Sequence, residues 1–249
     1  MTTVDDRHST ARDWVRVYEP RPAATRRLLC FPHAGGSASA FRPLARAAPP
    51  DVQVVAVQYP GRQDRIDAGM PAGIGALADE IVAAIGPDIR RGTTLFGHSM
   101  GSMVAFEVVR RLRPRFPAPV SRLIVSACKA PTDIGADRPD LDDDDIREFV
   151  RDLGGTGSVV LDNEDVWRFS LPALRADLRA IHRYRYEPGP PLGCPVVAIA
   201  GAQDDTATAE DMRRWRAFTV AGFAVHTMPG GHFYLDDLPS GLLPLLTDA

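Results

Sequence analysis

A chain of 249 residues, 45% of them hydrophobic, has room for one large α/β domain or two small ones around a real core. Its formal net charge of -3 lacks the basic excess of a nucleic-acid binder, and no apolar run reaches membrane-spanning length. Cys30, Cys128 and Cys194 are far apart, odd in number and set in or beside apolar runs, so buried free thiols and a cytoplasmic location are expected.

In chain order, Met1 to Ala11 reads as a frayed tail, and the polar stretch Met1 to Thr10 lacks the apolar core of a secretory signal. Trp14 to Tyr18 reads as an edge strand. Leu28 to Phe31 is a compact buried strand that runs into Pro32-His33-Ala34-Gly35-Gly36-Ser37, a glycine-rich loop opening a helix near Phe41 to Ala47. That loop has neither the Gly-x-Gly-x-x-Gly spacing nor a Gly-Lys-Ser/Thr run, which argues against a nucleotide site. Val52 to Val57 is a third strand. It ends in Gln58-Tyr59-Pro60-Gly61-Arg62-Gln63-Asp64-Arg65, whose two arginines fit a solvated loop or a rim contact for an anionic partner equally well. Ile74 to Ile85 has helical apolar spacing. Thr93 to Phe96 is a strand, Ser102 to Leu112 a helix, and Leu123 to Ser126 the next strand. Arg110, Arg111, Arg113 and Arg115 at the helix end suit its dipole and solvent. Val196 to Ala200, a helix at Ala209 to Phe218, a strand at Ala224 to Met228 and a short helix after Pro239 complete the alternation. Such alternation predicts an α/β fold with a mostly parallel central sheet flanked by helices, and a site beyond the carboxyl ends of the strands.

Between Lys129 and Pro195 the alternation stops. Helices at Asp142 to Leu153 and Asp165 to Tyr184, joined by Gly154-Gly155-Thr156-Gly157, predict a helical lid over 129–194 inserted in a single domain of 12–249. The acidic run Asp142 to Asp145 suits the first turn of a helix better than a metal site. Leu171, Leu174, Leu178 and Ile181 form an apolar stripe that either packs in a core or lines an acyl-chain tunnel.

Gly97-His98-Ser99-Met100-Gly101 lies between a strand and a helix, the setting of a nucleophile elbow. A serine nucleophile needs a histidine to take its proton and a carboxylate to orient that histidine. His232, in Pro229-Gly230-Gly231-His232-Phe233 after the last strand, sits where the base belongs. His33 is more readily a pocket-shaping loop residue, and His98 points away within the elbow. For the acid, Asp204 ranks first and Asp205 second, both following Val196 to Ala200, with Asp133 third. Ala34, in the loop after the first buried strand, is the candidate for an oxyanion N–H, and the elbow helix start supplies further donors. No metal or redox cofactor is required.

Cys30-Phe31-Pro32-His33-Ala34-Gly35-Gly36, Gln58-Tyr59-Pro60-Gly61-Arg62, Gly97-His98-Ser99-Met100-Gly101 and Gly230-Gly231-His232-Phe233 together resemble type II thioesterases, the stand-alone editing enzymes of polyketide and nonribosomal peptide synthases. The resemblance runs from about Trp14 to the last helix. It implies an α/β-hydrolase that removes acyl groups held as thioesters on the phosphopantetheine arm of a carrier protein. It carries the nucleophile onto Ser99, the base onto His232, the acid onto Asp204 and the oxyanion donors onto the backbone of Ala34 and Met100. Two stretches depart from the family. Its Gly-Asp-x-Asp-Pro is here Gly201-Ala202-Gln203-Asp204-Asp205. Its Ser-Gly-Arg before Ala-Pro is here Ser126-Ala127-Cys128-Lys129. A small-ester hydrolase or an acyltransferase would use the same triad, and a non-catalytic hydrolase-fold protein docking on a megasynthase would leave it idle. With no heptad or large exposed apolar stripe, a monomer is expected.

Overall fold

The computed structural model describes residues 11–112, 119–135, 140–155 and 160–248. Met1 to Thr10 of the expected tail, Arg113 and Arg115, and Thr156 and Gly157 of the glycine joint lie outside them. Seven strands form one sheet: β1 (Val15–Arg16), β2 (Arg26–Phe31), β3 (Val52–Val57), β4 (Thr93–His98), β5 (Val120–Ser126), β6 (Val196–Gly201) and β7 (Phe223–Met228). Their order across the sheet is β1-β3-β2-β4-β5-β6-β7. β1 runs antiparallel to β3, pairing Val15 with Val57, and every other neighbouring pair is parallel. The expected edge strand shrinks to two residues, and Pro20 and Pro22 follow it closely.

Parallel strands buried on both faces need apolar side chains at consecutive positions, and β2 shows the consequence. Leu29 and Phe31 enter one core, with Val55 and Val57 of β3 and Leu123 and Val125 of β5. Leu28 and Cys30 enter the other, with Val54, Ala56 and Ile124. Helices α2 (Ile74–Ile85) and α3 (Met100–Leu112) cover the first face. Helices α1 (Arg42–Ala47) and α7 (Leu242–Thr247) cover the second. Two expected helices divide. A 3-10 turn at Ala38–Phe41 precedes α1, whose first turn holds Pro43, and α6 (Ala209–Arg213) passes into a 3-10 turn at Arg214–Phe218. All three cysteines are buried free thiols.

Arg110 and Arg111 do more than complement a dipole. Both pair with the buried Glu107 carboxylate, which also accepts the Tyr184 hydroxyl at 2.7 Å. The inserted stretch contains α4 (Asp143–Leu153) and α5 (Glu164–His182). The acidic run is the start of α4: the Asp142 side chain accepts from the Asp144 and Asp145 amides, and Asp145 returns the bond to the Asp142 N–H. Ile146 and Val150 of α4 pack with Trp167, Leu174 and Leu178 of α5 in a small core of their own.

α3 crosses the sheet closely enough that β4 and α3 meet through bare backbone. A Cβ at Gly101 would run into the carbonyls of Phe31 and Pro32, and one at Gly97 into the Gly101 carbonyl. Backbone cannot rotate aside as a side chain can, so Gly101→Ala should lower stability by about 3 kcal/mol. Gly69→Ala, at an exposed site with no atom within 4 Å of the added carbon, should change it by less than about 0.5 kcal/mol. Urea unfolding of the two variants against the parent checks the contrast.

Candidate active site

β4 ends at His98, α3 begins at Met100, and Ser99 between them takes φ 53. That left-handed backbone is unfavourable for a side-chain-bearing residue and persists only where its surroundings impose it. Here they do. The Ser99 amide donates to the Ser126 carbonyl at 2.8 Å, the Ser102 hydroxyl donates to the Gly97 carbonyl at 2.8 Å, and the Ser126 amide donates to the Ser102 Oγ at 3.0 Å. The turn is thus fixed from α3 and from the end of β5 together.

His232 lies in the loop after β7. Gly201, at the end of β6, lets that loop approach: a Cβ there would strike the carbonyls of Gly230 and Gly231. The contact brings the loop after β6 against the loop after β7, and His232 Nδ1 meets Asp204 Oδ2 at 2.9 Å. Both residues are buried, at 6% and 4% exposure. The competing acids are elsewhere. Asp205 is exposed, and Asp133 Oδ1 pairs with Arg214 at 2.9 Å. Burial pushes the Asp204 carboxyl up, but hydrogen bonds from His232 and Thr206 and the charge of His232 outweigh it and hold the group below its ordinary value. With Nδ1–H directed at Asp204, Nε2 is the free acceptor of the ring. That nitrogen is buried and has no hydrogen-bond partner among the described residues.

Thr206 completes this arrangement and was not legible in the sequence. Its hydroxyl donates to Asp204 Oδ1 at 2.6 Å and stands 3.0 Å from His232 Nδ1, and its amide also donates to Asp204 Oδ1 at 2.9 Å. The signal that could have found it is local: a threonine two residues after an aspartate commonly folds back onto that carboxylate.

The remaining histidines near the elbow have other partners. His98 Nδ1 meets the Ser126 Oγ at 2.8 Å. His33 stands edge-on to Phe233 with ring centroids 5.0 Å apart. Burial, and then the charges of His232 and Arg62, lower His33 to about 4. Burial and the charges of His232 and His33 push His98 well down. Both are neutral at neutral pH.

Ser99, His232, Thr206, Ala34 and Met100 all line one cavity of about 720 Å³. Met100 is the first residue of α3, so its N–H belongs to the unpaired donors of a helix start. The expected apolar stripe does both things: all four residues belong to or pack on the α4–α5 core, and Leu174, Leu178 and Ile181 also line the cavity. Both readings of the Gln58–Arg65 loop are corrected. Arg62 is buried, and its guanidinium grips the Asp177 carboxylate of α5 at 2.7 and 3.0 Å. Arg65 lies 4.0 Å over the Trp14 ring. Among the described residues, no group of three His, Cys, Asp or Glu side chains could hold a metal.

A doubly covered parallel sheet, a strained serine at a strand–helix elbow and a histidine–aspartate pair on the following strand ends define an α/β-hydrolase. Residues 26–243 match the thioesterase domain. The chain belongs to the thioesterase family, whose members are hydrolases acting on thioesters. It is 42% identical over 236 residues to the probable cadicidin biosynthesis thioesterase of Streptomyces griseus, covering 94% of this chain and 64% of that protein. It is 40% identical over 227 residues to thioesterase PikA5 of Streptomyces venezuelae, covering 90% of this chain and 80% of that one. Among solved structures it resembles the type II thioesterase BorB from the borrelidin biosynthetic cluster, with TM-score 0.86, 38% identity, and coverage of 95% of this chain and 97% of that one.

Two depressed histidines should make the fold acid-sensitive. His33 and His98 hold their protons less tightly folded than at the ordinary value of 6.5, so the unfolded chain binds protons first as pH falls. Stability present above pH 6.5 should therefore be lost as pH drops towards 4. The urea midpoint should fall across that window, and His33→Gln should flatten the fall; a midpoint constant from about pH 7 to 5 would contradict the assignment.

Proposed function

We propose that this chain is an editing thioesterase of a polyketide or nonribosomal peptide synthase, acting on acyl groups tethered to a carrier protein through phosphopantetheine. The observation that carries the reading is the buried His232–Asp204 pair with a free Nε2, sharing a cavity with the strained Ser99. The similarity to BorB and PikA5 supports the substrate class.

In the proposed mechanism His232 Nε2 takes the Ser99 proton as the serine oxygen attacks the thioester carbonyl. The new oxyanion is held by the N–H groups of Ala34 and Met100, each worth on the order of 3 kcal/mol to the transition state. The tetrahedral intermediate collapses, the carbon–sulfur bond breaks, and the thiol leaves with the proton from His232. Water, deprotonated by the same nitrogen, then attacks the acyl-enzyme and frees the carboxylic acid. Asp204 keeps the imidazole in the tautomer that leaves Nε2 open and stabilises its charged form. Thr206 holds the second carboxylate oxygen, so that Oδ2 faces the ring. The insertion over 129–194, with α4 and α5 among its described residues, acts as a lid whose Leu174, Leu178 and Ile181 form an apolar wall for the acyl chain. A tethered acyl group fits that geometry, because the reactive carbonyl must reach Ser99 along a path that the wall flanks.

Ser99→Ala should abolish release of free acid from an acyl-carrier protein, and Asp204→Asn should reduce kcat on the order of 10³–10⁴-fold. Release of acid is followed by mass spectrometry, with a p-nitrophenyl ester of the same acyl group as the comparison. Hydrolysis undiminished in Ser99→Ala would sink the triad. A preference for the free ester would point to a small-ester hydrolase instead.

A further inference from the structure

The loop that carries Ala34 is braced from outside the catalytic residues. Tyr59 donates its hydroxyl to the Pro32 carbonyl at 3.3 Å, Gln58 Oε1 accepts the Ala38 amide at 3.0 Å, and Arg62 Nη1 donates to the Gly36 carbonyl at 3.0 Å. One contact comes from the insertion. Asp177 Oδ2, on α5, accepts the Gly35 amide at 2.8 Å while the same carboxylate takes both Arg62 Nη1 and Nη2. Arg62 and Asp177 are 7% and 6% exposed at the side chain.

We propose that Arg62 and Asp177 are positioning residues for the oxyanion N–H of Ala34, and that through Asp177 the α5 helix holds the oxyanion loop in its working geometry. The inference deepens the function proposed above and rests on it. Gly35 takes φ 71, a left-handed conformation, and its N–H points at Asp177. Fixing that N–H fixes the plane of the Ala34–Gly35 peptide. The Gly36 amide, donating to the His33 carbonyl at 3.0 Å, fixes the other end of the turn. The Ala34 N–H belongs to the peptide whose carbonyl that bond holds, so the peptides on both sides of Ala34 are anchored, and Ala34 lines the cavity. A buried ion pair contributes little net stability, since desolvation offsets the attraction. The pair does restrict where the loop can sit, because a guanidinium fork accepts a carboxylate in few orientations. α5 also carries Leu174, Leu178 and Ile181 of the cavity wall, so acyl wall and oxyanion donor share one rigid element.

The test uses the full chain with an acyl-carrier substrate and an alkylboronic acid, which adds to a serine oxygen and places its own oxygen where the oxyanion forms. Asp177→Asn keeps an oxygen for Gly35 but loses the charge that orders Arg62. Arg62→Lys keeps the charge but loses the fork and its reach to Gly36. Both should lower kcat about 10- to 100-fold with KM held within about threefold, and both should weaken boronate binding by a matching factor. A role in folding alone would move the thermal midpoint and leave kcat of the folded fraction and boronate affinity untouched. If Asp177→Asn does not fold, Arg62→Lys carries the test. Parental kcat and boronate affinity in a folded variant, or a loss confined to KM, would overturn the proposal. A parent protein with no thioester turnover would overturn the proposed function itself, which is a different result.

Discussion

Everything at the site hangs on the backbone and hydroxyl of Ser126, the last residue of β5. Its carbonyl receives the Ser99 amide, its amide donates to Ser102 in the first turn of α3, and its Oγ meets both His98 Nδ1 and the Tyr234 hydroxyl. Through these bonds one residue restrains the elbow from beside, the first turn of α3 from below, and the segment after His232 from the far side. A serine at φ 53 is a local cost, and the sheet meets it with hydrogen bonds that could not form if Ser99 relaxed to an ordinary conformation. The next residue repeats the device. Ala127 takes φ 50 at 2% exposure. Two adjacent strand ends therefore turn sharply, and the space they vacate is the floor of the cavity.

Much of this was legible because it depends on local chemistry. Runs such as Val52 to Val57 and Val196 to Ala200 can only be strands buried on both faces, and Ile74 to Ile85 matched its helix residue for residue. Ser99 sat between Gly97 and Gly101, where backbone meets backbone, and His232 followed Gly230 and Gly231, whose carbonyls lie against Gly201. The sequence ranked Asp204 ahead of Asp205 and Asp133, and the structure places Asp204 against His232, but the ranking did not rest on geometry. Adjacent residues in a loop point different ways, and which one faces a histidine 28 positions later is set by the close approach of the two loops at Gly201. Arg62 was misread for the same kind of reason. Its partner is 115 residues away on an inserted helix, and an arginine in a turn-rich loop otherwise belongs in solvent.

Charge at the centre of the molecule follows one rule: ionised groups are paired and the rest are kept neutral. Arg62 meets Asp177, and Glu107 meets Arg110, Arg111 and Tyr184. Asp204 is held ionised by His232 and Thr206. Near that carboxylate three buried groups are pushed to their neutral forms: His33 and His98 downward, and the Cys128 thiol, by burial and by Asp204, up to about 12. Tyr234 is raised as well, chiefly by burial. The cavity also carries Lys129, Asp133 and Asp236 on its wall, while the buried His232–Asp204 pair stands where His232 shares it with Ser99.

That economy bears on chemistry that passes through an imidazolium. A positive charge appearing on His232 gains most where the nearby anion is fixed and competing cations are absent. Asp204 is fixed by four contacts, two from Thr206, one from His232 and its own amide to the Gly201 carbonyl. His33 and His98, with ring centroids 6.1 Å from each other and His98 5.4 Å from His232, would oppose that charge if they were protonated. Their depression would therefore favour His232 as the base of the proposed mechanism, and it has the same cause as the expected acid sensitivity: both rings pack against Phe233 of the loop after β7, and His33 lies in the loop after β2 that carries Ala34.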